Sequence, residues 1–170
     1  SVTAGNRSEI DTRLWKNGSF NEIDSNTKRI PKHWTVPDGR IPKFWSLSGA
    51  GQYGGDLEMI LHPDSRDNYF VRLRKGFIFQ DHGFKNDRLG VGFRVRGEGK
   101  LRFMILRYKA NYKGSLPSCI VKEIDIDSKE WKHESFEFAR PSEDKTEIHA
   151  LALWPQSGEI DIDDMFLVGK

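Results

Sequence analysis

The 170-residue sequence predicts an all-β domain, a sandwich or a barrel. Three observations support this. Short runs of alternating apolar and polar residues recur along the chain, turn-forming residues close each run, and no stretch shows the periodicity of an amphipathic helix. One domain over residues 1–170 suffices, because a chain of this size buries roughly two-thirds of the surface its unfolded form exposes.

The first fifty residues are the least regular. Pro31, Pro37 and Pro42 interrupt any long element there, and at most one helical turn is expected in the chain, before residue 50. Strands are then expected at 54–61 (GGDLEMIL), 69–74 (YFVRLR), 76–80 (GFIFQ), 89–96 (LGVGFRVR) and 101–109 (LRFMILRYK). Four more follow at 119–126 (CIVKEIDI), 131–138 (WKHESFEF), 147–154 (EIHALALW) and 159–168 (EIDIDDMFLV). Turns are expected at 63–68 (PDSRDN), 81–87 (DHGFKND), 96–100 (RGEGK), 111–118 (NYKGSLPS), 141–145 (PSEDK) and 155–158 (PQSG), each rich in Gly, Pro, Asn, Asp or Ser.

The net charge of +2 conceals a segregation. Residues 72–113 carry twelve Lys/Arg and three Asp/Glu, whereas residues 114–170 carry six and thirteen. A block of net +9 favours an anionic partner, and the acidic final third opposes a long nucleic acid. Side-chain alternation sharpens this expectation. Arg72 and Arg74 fall opposite Val71 and Leu73, Arg94 and Arg96 fall opposite Phe93 and Val95, and Arg102 shares a face with Met104, Leu106 and Tyr108. If these strands share a sheet, its open face is lined with arginine and ends in tyrosine. Guanidinium groups suit carboxylate or sulfate.

Several chemistries are excluded or weak. The single Cys119 excludes an internal disulfide framework and a multi-cysteine zinc site. The five histidines show no zinc-ligand spacing, and there is no Gly-x-Ser-x-Gly elbow. Residues 49–54 (GAGQYG) match the dinucleotide fingerprint formally, but a strand-like run ending in Pro63 follows where a helix is required. No apolar stretch approaches the ~20 residues that span a bilayer. The opening SVTAGNRSEID is not a signal peptide, which leaves secretion open through a leader removed beforehand.

Two resemblances bear on function. The segment 107–112 (RYKANY), with Glu147-Ile148-His149 and Arg7-Ser8-Glu9-Ile10, resembles motifs of jelly-roll alginate lyases, which implies a Tyr/His pair for β-elimination. The motif order is reversed relative to that family, however, and the chain is short for such a catalytic domain. The second resemblance covers about residues 11–168. Leu14-Trp15-Lys16-Asn17-Gly18-Ser19-Phe20-Asn21-Glu22, Pro31-Lys32-His33-Trp34, the Trp131-to-Pro141 segment and Ile160-Asp161-Ile162-Asp163-Asp164-Met165-Phe166 resemble jelly-roll carbohydrate-binding modules of bacterial polysaccharide-degrading enzymes.

The second resemblance implies a jelly-roll sandwich of two antiparallel sheets with adjacent first and last strands. It also implies a non-catalytic module that binds polysaccharide as part of a larger secreted or periplasmic enzyme, with no nucleic-acid or membrane partner. Such modules commonly hold a structural calcium. Asn17, Glu22, Asp163 and Asp164 are the oxygen ligands it implies here, with Glu22 one residue out of the usual register. The expected ligand-binding set is Arg72, Arg74, Arg94, Arg96, Arg102, Tyr108, Tyr112 and Trp154, with Trp45 or Tyr53 as further stacking platforms. Trp15, Trp34 and Trp131 are expected to pack in the core or at turns. The alternatives are a small jelly-roll lyase and a protein-interaction sandwich.

Overall fold

Four of the expected strands are halves of two long ones. The runs at 89–96 and 101–109 join into β4 (Arg88–Tyr108), and those at 119–126 and 131–138 join into β5 (Ser115–Ala139). The Gly-Glu-Gly at 97–99 is therefore a bend within a strand rather than a turn between strands. Gly97 and Gly99 adopt φ of 121° and 145°, a region that side chains with a Cβ rarely enter. The remaining strands fall where expected: β1 (Asp56–Leu61), β2 (Tyr69–Lys75), β3 (Ile78–His82), β6 (Ile148–Pro155) and β7 (Glu159–Gly169). A short 3-10 turn at Ala110–Tyr112 lies in the β4–β5 connection. The computed structural model describes residues 15–23, 31–35, 56–63, 65–82 and 84–170, so Trp45, Tyr53 and most of the region before residue 50 lie outside the described residues.

All pairings between strands are antiparallel. The order is β1-β2-β7-β4-β6-β3, and β5 runs along β4. β4 organises the fold. Leu89–Glu98 pairs with β7, Leu101–Tyr108 pairs with β6, and β5 accompanies both halves. The partner changes at the glycine bend, where the β6–β7 turn crosses so closely that a Cβ on Gly158 would lie 1.8 Å from the Glu98 carbonyl oxygen. One curled sheet thereby supplies both layers of the expected jelly-roll sandwich.

The inner faces of both halves meet in one core. Val71, Leu73, Phe93, Val95, Ile160 and Ile162 come from the first half, and Leu101, Phe103, Leu151 and Leu153 from the second. The chain start closes that core: Trp15 and Phe20 pack on Trp34 with ring centroids 4.8 and 5.2 Å apart, all three buried. The Met165 amide donates to the Gly18 carbonyl at 2.8 Å, which sets the chain start against β7. A second apolar cluster (Phe77, Phe79, Met104, Leu106, Tyr108, Ala150 and Ala152) occupies the other face of the β3–β6–β4 half.

One irregularity explains the Asp-Asp pair in β7. Between Gly92↔Phe166 and Arg94↔Asp163, two β7 residues oppose one β4 residue, and Asp164 takes φ 49°. This β-bulge restarts the alternation, so Met165 and Leu167 are buried inward as Ile160 and Ile162 are.

Candidate functional site

The face of β2, β7 and β4 that points away from the core is a ladder of paired charges. The register aligns Arg72 on β2 with Asp161 on β7, and Asp161 with Arg96 on β4. Arg72 donates to Asp161 through Nε and Nη2 at 2.7 and 3.1 Å, and Arg96 donates through Nε at 2.9 Å. Asp161 is buried, which only such pairing makes tolerable. Arg74 donates to Glu159 at 2.9 Å and to Glu58 at 2.8 Å, and Arg94 to Asp164 at 3.2 Å.

The open basic face expected from the sequence is therefore corrected. Alternation does place Arg72, Arg74, Arg94 and Arg96 on one face, but the acids of β7 occupy the strand between them. Segments of opposite charge, separate in sequence, interleave in space.

Aromatic residues line the same face. Trp131 of β5, half-buried, meets Phe70 edge-on at 5.3 Å. The guanidinium carbons of Arg94 and Arg96 lie 5.2 and 4.6 Å from its ring centroid. His62 packs beside Phe70 and Trp131, and its Nε2 lies 2.5 Å from Asp163 Oδ2. Trp15 and Trp34 are core residues as expected, whereas Trp131 is not. The sequence signal for its partial exposure is the run of charged residues on either side of it, Lys129, Glu130, Lys132 and Glu134.

A cleft of about 650 Å³ opens at the glycine bend, beside this face. Arg72, Arg96 and Asp161 line one side, and Gly97–Gly99, Asp127–Lys129 and the 157–159 turn line the rest. Neither the turn nor the β5 residues could be assigned to it from sequence, because β4, β5 and β7 meet there only through the partner change.

The remaining expected ligand residues lie elsewhere. Arg102 pairs with Glu123 at 2.8 Å and aligns with Trp154 on β6. Tyr108 is 2% exposed and cannot serve as an open stacking platform. Tyr112 packs 5.7 Å from Tyr108 and donates its hydroxyl to Asp81, and burial together with that carboxylate pushes its pKa upward. Trp154 leaves the main core, as alternation implies, but joins the second cluster against Phe77. The set expected as one groove thus divides between the two halves of the sheet.

The lyase-like pair is also separated. Arg107 aligns with His149 and Tyr108 with Ile148, so the tyrosine and histidine point to opposite faces of the sheet. His149 is fully buried, and burial lowers its pKa. Arg107 donates to buried Glu147 at 2.8 and 3.2 Å. Burial pushes the Glu147 carboxyl up, but hydrogen bonds from Arg107, Ser142 and His149 outweigh it and hold it at about 2. This is an internal ion pair, not a proton-transfer site facing a substrate.

Three of the four expected calcium ligands, Asn17, Asp163 and Asp164, engage protein groups. The Asn17 amide donates to the Glu22 and Lys32 carbonyls at 2.8 and 2.9 Å, and its oxygen accepts from the Glu22 amide at 3.1 Å. Asp163 engages His62, and Asp164 engages Arg94. Among the described residues, no group of three or more His, Cys, Asp or Glu residues could hold a metal ion. In this arrangement the Asn-Gly motif clamps a turn and the Asp-Asp pair sits at a strand bulge.

No protein-family model matches the chain, and no curated protein does. Solved structures match its fold. A CBM4 structure, a carbohydrate-binding module, shares 14% identity at a TM-score of 0.55 over 91% of this chain and 99% of its own. The CBM22-2 xylan-binding domain of Paenibacillus barcinonensis Xyn10C shares 10% at 0.55, covering 82% and 92%. The family 11 module of Clostridium thermocellum, solved with a β-1,3-1,4-mixed-linked tetrasaccharide, shares 13% at 0.53, covering 87% and 95%. Against the CBM22-1–GH10 modules of Clostridium thermocellum xylanase 10B, the chain spans 24% of the length of that protein. These superpositions show the fold alone: a jelly-roll β-sandwich like that of the carbohydrate-binding modules.

Proposed function

We propose that this chain is a carbohydrate-binding module that attaches a polysaccharide-degrading partner to its substrate and does no chemistry itself. The observation that carries the reading is the cleft at the glycine bend, continuous through Arg96 with the half-exposed Trp131. Guanidinium N–H groups, carboxylates, two serine hydroxyls and bent backbone can all exchange hydrogen bonds with sugar hydroxyls. An indole alongside can stack on the apolar face of a pyranose. The separation of Tyr108 from His149 supports the non-catalytic reading. A module joined to a catalytic unit, acting outside the cytoplasm where polysaccharide occurs, follows from the same reading and is supported by the fold shared with the xylanase 10B modules. The acidic glycan expected from the net +9 segment has less support here, since Asp161, Glu159, Glu58 and Asp164 already neutralise the relevant arginines.

Affinity electrophoresis in gels cast with soluble polysaccharides tests the reading. Retardation by at least one polysaccharide, with no reducing ends released, is expected. Free migration in every gel would contradict it.

A further inference from the structure

The cleft contains more acid than base. Arg72, Arg96 and Lys129 face Glu98, Asp127, Glu159 and Asp161. The two arginines already donate to Asp161, and Arg72 also lies 3.3 Å from Glu159, so two carboxylates balance their two positive charges locally. Glu98 and Asp127 are exposed and make no ion pair with any described residue. Resting on the module reading above, we infer that the cleft takes an uncharged, hydroxyl-rich glycan and that Glu98 and Asp127 exclude uronate and sulfated chains from it.

The mechanism is electrostatic. A sugar hydroxyl can donate to Glu98 or Asp127 and accept from a guanidinium N–H group left over after pairing, because Arg96 engages Asp161 through Nε and Arg72 through Nε and Nη2. A glycan carboxylate or sulfate brings no donor in its charged group and places a third negative charge beside these two. Juxtaposed like charges discriminate by repulsion rather than by contact, the usual way a site rejects a near-isosteric competitor. The selectivity is thus opposite to that suggested by the basic middle segment.

The test uses the full chain and its Glu98→Gln/Asp127→Asn variant, in gels containing xylan, mixed-linkage β-glucan or polygalacturonate, at low and high salt. The parent should be retarded by a neutral polysaccharide, with little salt dependence, and should pass freely through polygalacturonate. The variant should gain retardation by polygalacturonate, an increase of about tenfold in affinity at low salt that shrinks at high salt. Parent binding to polygalacturonate equal to or stronger than to the neutral glycans would overturn the inference and leave the module reading intact, as would a variant that gains nothing. A parent retarded by no polysaccharide would overturn both.

Discussion

Asp161 on β7 accepts hydrogen bonds from Arg72 on β2 at 2.7 Å, and Arg96 on β4 holds the same carboxylate from the other side at 2.9 Å. This single buried acid ties three strands together beneath the proposed site. Asp161→Ala should remove about 3 kcal/mol of stability in urea unfolding, because two arginines lose their shared partner. Asp161→Asn should fall in between, keeping acceptor geometry without charge. A loss below about 0.5 kcal/mol for the alanine variant would show that the ladder is only a solvated surface.

The bulge makes a separate prediction. Asp164 holds φ 49°, where glycine is at ease and a β-branched side chain is strained. Asp164→Gly should stay within about 0.5 kcal/mol of the parent, and Asp164→Val should lose about 1–2 kcal/mol. Melting both with calcium and with EDTA also examines the metal expectation. Equal differences in the two buffers are expected, whereas a calcium-dependent difference would restore Asp164 as a ligand.

Acid should weaken the fold through Glu147. Its carboxyl is held at about 2 against an ordinary 4.5, so its contribution is complete above 4.5 and is lost as pH falls from there toward 2. The loss is on the order of 3 kcal/mol. His149 acts in the same direction, since its lowered pKa leaves it neutral in the fold while the unfolded chain takes up a proton below 6.5. Stability measured against pH should decline below 6.5 and steepen below 4.5. In Glu147→Gln the steep limb should flatten.

Trp131 should be the main contributor to binding. Trp131→Ala should weaken glycan affinity by about 2 kcal/mol, roughly thirtyfold, and Trp131→Phe should recover part of it. Isothermal titration with a retained polysaccharide provides the measurement. Undiminished affinity in the alanine variant would move the platform elsewhere.

The strands were legible because alternation and turn residues report local preferences. The fusion of two pairs into β4 and β5 was not, since Gly97 and Gly99 fit a turn as well as a bend, and only the neighbouring strands decide between them. The common face of Arg72, Arg74, Arg94 and Arg96 followed from parity. Their neutralisation did not, because it requires knowing that β7 lies between β2 and β4. Alternation puts Tyr108 and Trp154 on the faces of their strands opposite the main core, yet it cannot show whether a second cluster buries those faces. The resemblance marks Asp163 and Asp164 as calcium ligands, whereas the bulge that sets them side by side on β7 has no signature of its own in the alternation.

The most direct measurement is an amide and indole NMR titration of the 15N-labelled chain with a neutral oligosaccharide from a polysaccharide that retards it. Shifts should concentrate at the Gly97, Gly99, Ser128 and Gly158 amides and at the Trp131 indole N–H. Shifts confined to the Tyr108 and 115–118 region, or none at saturating sugar, would contradict the placement of a glycan site at the glycine bend.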